Sequence, residues 1–98
     1  MSIRNKLEKE INLFLEYLTV EMGLAYNTRE SYGRDLRLFA GWIKKPLTEV
    51  DREDILAYMK MLRQHQYAPT SASRKLAALK AFFRFMTAEG FLEEDPSE

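Results

Sequence analysis

The stretch 70-TSASRKLAALKAFFRFM-86 says most about the fold of this chain. Its apolar residues recur at spacings of three and four, the period of one buried face of an α-helix. The stripe comprises Leu76, Leu79, Phe83 and Met86, and Ala72 and Phe82 widen it. The stretch follows Pro69, and Gly90 suits the left-handed position that ends a helix. We predict a helix from about Thr70 to Glu89, with Phe91 making the apolar contact that closes such an ending.

A second stretch, 27-NTRESYGRDLRLF-39, has a similar chemistry. Asn27 is a favoured N-cap, and Glu30 stands three residues later, which predicts a capping box. The apolar stripe of this helix consists of Tyr32, Leu36, Phe39 and Ile43. Pro46 is expected to stop the helix because proline disrupts a helix interior.

Two further helices complete the pattern. The first is predicted from Ile3 to Met22, before Gly23, with a stripe of Leu7, Ile11, Phe14 and Leu18. The third is predicted from Asp51 to Gln64. It opens on a capping Asp51 and a hydrophobic staple of Val50 and Ile55, and its inward residues are Ile55, Met59 and Leu62, with Tyr58 beside them.

Since no strand pattern competes and the connections are short, we expect an all-α, compact four-helix bundle. Some apolar residues fall outside its stripes. Leu13, Tyr17 and Val20 either pack on the third helix or form an exposed docking surface. Trp42 lies at the core edge or contacts a partner, and Phe85 is the least certain core residue.

Bulk composition narrows the class of protein. A chain of 98 residues is one domain, and its 46% hydrophobic content is ample for a core. There is no cysteine, so neither disulfides nor thiolate metal sites are available. The charged N-terminal sequence is not that of a secretory signal, and no apolar run approaches a membrane span. These features fit a cytoplasmic location without contact to a membrane.

Charge is distributed unevenly, although the formal net charge is zero. Residues 27–45 and 67–90 each carry a net charge of +3, whereas residues 91–98 carry four acidic side chains and no basic one. Residues 1–26 and 46–66 are each close to neutral. The two basic segments contain the two helices quoted first, which suggests a shared partner of negative charge.

Catalytic and metal chemistry find little support. His65 is the only histidine, so a histidine metal cluster is impossible. The carboxylates of Asp51, Glu53 and Asp54 stand at a helix start, where they complement the helix dipole. No glycine-rich phosphate loop is present. We therefore expect no catalytic residue, no metal and no cofactor.

Binding to DNA fits the two basic helices better. A helix N-terminus presents unpaired N–H groups that suit a phosphate, hydroxyls donate to phosphate oxygens, and Arg or Lys adds charge and reaches base edges. On chemistry alone, solvated faces with ordinary caps remain an open alternative. The candidate contacts are Asn27, Thr28, Arg29, Tyr32, Arg34, Arg37, Thr70, Ser71, Ser73, Arg74, Lys75, Lys80 and Arg84.

Three motifs give the chain a family resemblance. They are N-T-x-x-x-Y-x-x-D-L at 27–36, S-x-x-R-x-L-A-A-L-K-x-F-F at 71–83, and E-G-F-L-E-x-D-P at 89–96. In combination they resemble the N-terminal core-binding, SAM-like domain of tyrosine recombinases. Within that family, the chain is most similar to the Xer-type recombinases and the phage integrases. The likeness extends from about Phe14 to Pro96.

The resemblance implies a role in site-specific DNA recombination and integration. In that family, this domain covers one side of a duplex and a C-terminal domain carries the catalytic residues. It implies a core-binding domain at 1–92, the start of a linker at 93–98, and no enzymatic activity of this chain alone. The implied partners are double-stranded DNA and other protomers, four of which assemble on two sites, whereas the isolated domain is expected to be monomeric.

Two other functions stay open at the level of sequence. One is a helical protein-interaction module that shares only the fold, and the other is a natural regulator without a catalytic half. Basic outer faces on the second and fourth helices favour DNA binding, whereas uncharged apolar outer faces favour the interaction module.

Overall fold

The computed structural model describes residues 2–98, and these residues form four α-helices and one short 3₁₀ helix. The α-helices are α1 (Ile3–Val20), α2 (Tyr26–Trp42), α3 (Arg52–Gln64) and α4 (Pro69–Ala88), and the 3₁₀ helix covers Leu47–Glu49. Residues 2–98 contain no strand. The predicted all-α, four-helix architecture is confirmed.

The start of α2 differs from the prediction. The helix begins at Tyr26, its N-cap is Ala25, and no side chain caps it. The predicted capping box of Asn27 and Glu30 is therefore wrong. Ala25 already has the extended backbone of an N-cap, so helical conformation begins before Asn27 and leaves that side chain exposed in the first turn.

The end of α2 also differs, because Pro46 does not set it. The last helical residue is Trp42, and Ile43 is extended with a side chain only 5% exposed. α2 therefore ends before the proline, and the extended Ile43 packs into the core. Pro46 instead precedes the 3₁₀ helix as its N-cap.

The ends of α1, α3 and α4 follow the predicted signals more closely. α1 stops at Val20, and Gly23 then takes the predicted left-handed conformation with a φ of 63°. At the start of α3, the Asp51 carboxylate accepts from the Asp54 N–H, and the Asp54 carboxylate accepts from the Asp51 N–H, each at 3.0 Å. This confirms Asp51 as a cap.

After α4, Gly90 has a φ of 83°. Its N–H donates to the Thr87 carbonyl, and the Phe91 N–H donates to the Met86 carbonyl at 2.9 Å. These are the two bonds of a Schellman ending, as predicted. Phe91 itself is 48% exposed, however, and Leu92 is the buried residue that follows Gly90.

The core combines leucine and isoleucine side chains with a cluster of aromatic rings, and all four α-helices contribute to it. Phe39 meets Tyr58 edge-on with ring centroids 5.1 Å apart, and Phe83 edge-on at 6.0 Å. Tyr58, expected beside the inward face of α3, is fully buried. Phe85 is also buried and joins α4 to Tyr17 of α1, with ring centroids 4.7 Å apart.

Helix directions follow from which residues meet. Glu8 near the start of α1 contacts Arg37 near the end of α2, so these two helices are antiparallel. Asp35 contacts Arg74, and further along both helices Phe39 contacts Phe83. α2 and α4 therefore run in the same general direction, and both N-termini lie towards the same end of the bundle.

Candidate nucleic-acid interface

The arginines predicted on α2 lie on different faces of the helix. Residues 29, 33 and 37 recur every four positions and face α1. Gly33 allows close approach there, since a Cβ at this position would lie 3.3 Å from a methyl carbon of Leu15. Arg34 lies outside this face and is exposed.

Arg37 is held against α1. Its Nε donates to Glu8 Oε1 at 3.0 Å, and its Nη2 lies 3.4 Å from Asn12 Oδ1. Both partners of the ion pair are close to half exposed, so it adds little stability. It does, however, direct the guanidinium towards α1.

Arg29 also faces α1. It lines a cavity of about 340 Å³ with Asn12, Leu15 and Thr19, among others. Its Nε is buried and has no hydrogen-bond partner within residues 2–98. The structure thus brings Arg29 and Arg37 together on the α1 side and separates them from Arg34.

The outer face of α2 is the side turned away from the core. By helical period it carries Asn27, Ser31 and Arg34, of which Asn27 and Arg34 are exposed. Leu38 borders this face, but it is half-buried and packs against the core. Thr28 is exposed as well. Tyr32 belongs instead to the core edge, because its ring meets Phe14 edge-on with centroids 6.2 Å apart.

The outer face of α4 is its corresponding solvent side. By helical period it carries Ser73, Ala77, Lys80 and Arg84. Ser73, Lys80 and Arg84 are exposed. Thr70 is exposed in the first turn, whereas Ser71 is half-buried. The carboxylate nearest to the outer face of α2 is that of Glu30, one turn before Arg34, which is half-buried and lines the cavity with Arg29.

Asp35 is the functional candidate that sequence analysis missed. It is 2% exposed on α2 and accepts two hydrogen bonds from Arg74 of α4, from Nε at 3.0 Å and from Nη2 at 3.1 Å. Lys75 Nζ donates to the same carboxylate at 2.8 Å. A signal existed in the sequence, because Asp35 stands three residues after Tyr32 and four before Phe39, which places it beside the apolar stripe.

The two cations stabilise the buried carboxylate of Asp35. Burial alone would raise the pKa of Asp35, but its hydrogen bonds and charge interactions with Arg74 and Lys75 outweigh burial and lower that pKa. Lys75 is 8% exposed, and its ammonium also lies 5.3 Å from the ring centre of Tyr67. Lys75, a predicted contact, is thus committed to the interior, whereas the Arg74 side chain is 53% exposed.

The acidic tail returns to α4. Asp95, Ser97 and Glu98 line a groove of about 510 Å³ together with Lys80 and Arg84. The Asp95 carboxylate accepts from the N–H and the hydroxyl of Ser97, which forms a tight turn. Two acidic side chains, of Asp95 and Glu98, therefore lie beside the C-terminal part of the outer face of α4.

An apolar groove lies between α1 and α4. Leu13, Tyr17, Val20 and Phe85 line it, and Glu16, Glu21 and Glu89 stand around it. Leu13 is 41% exposed and Val20 is 70% exposed. Tyr17 packs on Phe85 of α4 rather than on α3.

The part of the chain that the structure describes gives no support to a catalytic or metal-binding site. His65 is exposed as the C-cap of α3. Asp51 and Asp54 form the capping box, and Asp54 also pairs with Lys45 at 3.0 Å. Over residues 2–98, no three His, Cys, Asp or Glu side chains are grouped to hold a metal ion. None of the helices described is long and apolar enough to cross a membrane.

Comparison with known proteins agrees with this geometry. The profile for "Phage integrase, N-terminal SAM-like domain" matches residues 11–90. The chain belongs to the phage integrase N-terminal SAM-like domain family. No solved structure matches the chain.

Several curated relatives of this SAM-like domain are tyrosine recombinases. One named tyrosine recombinase XerC, from Roseiflexus sp. (strain RS-1), is 34% identical over 94% of this chain. Two named tyrosine recombinase XerD, from Listeria monocytogenes and Brucella abortus, are 38% and 40% identical over 85% and 89% of the chain. The chain spans only 31%, 30% and 29% of these relatives. It corresponds to the non-catalytic N-terminal domain and not to a whole recombinase.

Proposed function

We propose that this SAM-like domain binds double-stranded DNA as the non-catalytic part of a site-specific tyrosine recombinase. In this proposal, residues 1–92 cover one side of the recombination site, and residues 93–98 begin the linker to a catalytic domain. The domain acts by positioning the duplex and performs no chemistry on it.

The observation that carries the proposal is the composition of the outer faces of α2 and α4. They expose Arg34, Lys80 and Arg84 together with small polar side chains, and Glu30, the carboxylate one turn before Arg34, is half-buried in the cavity that faces α1. Such a surface suits the phosphate backbone, which accounts for most protein–DNA hydrogen bonds. The two helices also present their N-termini towards one end of the bundle, which adds positive potential there.

The proposed contact set is smaller than the sequence-based one. It keeps Asn27, Thr28, Arg34, Thr70, Ser73, Arg74, Lys80 and Arg84. Arg29, Arg37 and Tyr32 face α1 or the core edge, and Ser71 is half-buried, so we assign them at most a peripheral part. Lys75 is left out because its ammonium is committed to Asp35.

Binding to a short fluorescein-labelled duplex tests the proposal. Replacing Arg34, Lys80 and Arg84 by Ala should weaken binding and lower the log–log salt slope by about 0.9 for each phosphate that the protein no longer neutralises. The matched control replaces Arg4, Lys9 and Lys60 by Ala, which removes the same charge from exposed positions elsewhere. Equal weakening by both triple variants would show that only net charge matters and that no DNA-binding face exists.

The groove between α1 and α4 supports a second contact, with another protomer of the recombinase. Exposed apolar side chains with an acidic rim suit a basic, amphipathic segment of that protomer. Replacing Leu13 and Val20 by Ser should reduce cooperative binding along a long duplex and leave the salt slope unchanged. Unchanged cooperativity would show that the groove does not contact another protomer.

A further inference from the structure

The Asp35 carboxylate is shaped to hold one arginine in one orientation. Arg74 uses Nε and Nη2, the side edge of its guanidinium, to bind both carboxylate oxygens. The guanidinium is a rigid, planar fork, so fixing this edge also fixes the direction of the remaining edge. That remaining edge carries Nη1 and the second N–H of Nη2, and the Arg74 side chain is half exposed.

Lys75 makes the net charge of the cluster of Asp35, Arg74 and Lys75 positive. Without Lys75, the charges of the Asp35 carboxylate and the Arg74 guanidinium would cancel, and Arg74 would attract an anion only weakly. With Lys75 Nζ 2.8 Å from the same carboxylate, the three side chains sum to +1. Since Asp35 and Lys75 are buried, Arg74 is the member of the cluster through which that charge meets solvent.

We propose that Asp35 is a positioning residue for DNA binding: it orients Arg74 so that the free edge of its guanidinium receives a backbone phosphate, while the buried Lys75 offsets the carboxylate charge. The inference rests on the proposed DNA-binding function. In this arrangement Asp35 and Lys75 act on DNA only through Arg74. Pinning the side chain in advance also reduces the rotamer entropy that binding must remove.

Asp35→Asn separates positioning from simple charge. The variant gains one unit of positive charge, so a purely electrostatic surface should bind DNA more tightly. An amide, however, turns an NH₂ group towards one of the arginine donors, so the two-bond fork is lost. We expect binding to a short mixed-sequence duplex to weaken roughly tenfold, and the salt slope to fall by about 0.9.

The matched control is Glu53→Gln. Glu53 is exposed on α3, and within residues 2–98 its side chain makes no hydrogen bond to another side chain, so this variant gains the same charge without releasing an arginine. Its binding should tighten slightly. If Asp35→Asn remains folded by circular dichroism and binds DNA as tightly as Glu53→Gln, Asp35 does not position a DNA contact.

Arg74→Lys keeps the proposal testable if Asp35→Asn does not fold. This substitution preserves the charge at a half-exposed position but removes the planar fork. We expect weakening close to that of Arg74→Ala, and parental affinity would overturn the proposal. If Arg74→Ala weakens binding while Asp35→Asn and Arg74→Lys leave it unchanged, the proposed DNA-binding function still holds. Only the proposed role of Asp35 is then contradicted.

A measurement without DNA completes the test. Nitrogen-15 relaxation of the arginine Nε–H groups should show Arg74 as more ordered than Arg34 in the parent. In Asp35→Asn, Arg74 should become as mobile as Arg34. Equal mobility of the two side chains in the parent would contradict the proposed orientation.

Discussion

Lys75 Nζ lies 2.8 Å from Asp35 Oδ1 in the interior of the bundle, across 40 positions of sequence. This pairing joins α2 to α4, the two helices whose outer faces form the proposed interface. The relative placement of those faces therefore depends partly on a buried charge cluster as well as on the aromatic core.

Removing Asp35 should destabilise the domain strongly. Asp35→Ala leaves the buried Lys75 ammonium without its carboxylate, and loss of one partner from a buried pair costs about 3–5 kcal/mol. The free energy of unfolding, measured by urea denaturation, checks this value. A cost below about 1 kcal/mol, as for an exposed pair, would contradict the structural role of the cluster.

The double variant Asp35→Ala, Lys75→Met tests whether the two residues act together. Methionine fills the interior without a charge, so the double variant should lose less stability than the sum of the single variants. We expect a coupling of about 1–3 kcal/mol. Strict additivity would mean that the 2.8 Å ion pair contributes no coupling.

Acid should remove the contribution of Asp35 to stability. Its folded-state pKa is lowered, because its bonds to Arg74 and Lys75 outweigh burial. A carboxyl group with a depressed folded pKa stabilises the fold above its unfolded pKa, and this contribution is lost as pH falls through the folded pKa. Between about pH 5 and about pH 2, the stability of Asp35→Asn should therefore fall less steeply than that of the parent.

Urea denaturation at a series of pH values measures this difference. Asp51→Asn is a useful comparison, because Asp51 belongs to the capping box and lies outside the buried cluster. Parallel curves for the parent and Asp35→Asn below about pH 5 would show that the Asp35 pKa is not lowered in the folded protein.

The acidic tail should oppose DNA binding at a particular place. Asp95 and Glu98 share a groove with Lys80 and Arg84, well within reach of an unscreened charge interaction at low salt. Replacing these two acids by Asn and Gln should tighten binding at low salt, with little effect at high salt. Fluorescence anisotropy at two salt concentrations measures the effect.

Glu93 and Glu94 provide the control for the tail. They line a groove beside Arg52 and the 3₁₀ helix and do not line the groove that holds Lys80 and Arg84, so changing both to Gln alters the net charge equally without removing a carboxylate from that second groove. Equal tightening by both double variants would indicate a general charge effect, with no specific screening of Lys80 and Arg84.

Apolar periodicity was enough to predict the helices and most of the core. Leu79, Phe83 and Met86 are fully buried, as their spacing indicated. Helix ends were predictable where a side chain or glycine made its own bond, as at Asp51 and Gly90. They were not predictable at Asn27 and Pro46, because α2 begins at Tyr26 without a side-chain cap and ends at Trp42, before the proline.

The candidate site was less predictable, because a basic residue on a helix has more than one possible partner. Arg37 and Lys75 were both predicted as DNA contacts, yet each pairs with an acidic residue from another helix. Glu8 and Asp35 lie 29 and 40 positions away from these partners, so local sequence does not reveal the pairing. Only the folded structure distinguishes the exposed Arg34, Lys80 and Arg84 from the other predicted DNA contacts.

Amide chemical-shift mapping during titration with a short DNA duplex tests whether the outer faces of α2 and α4 bind DNA. We expect the largest shifts on the outer faces of α2 and α4, at residues 27–28, 31 and 34 and at residues 70, 73–74, 77, 80 and 84. Amides at 51–54, where three carboxylates surround the start of α3, should shift little. Shifts concentrated on α3 or on the groove at Leu13 and Val20, with α2 and α4 unchanged, would contradict the proposed DNA-binding face.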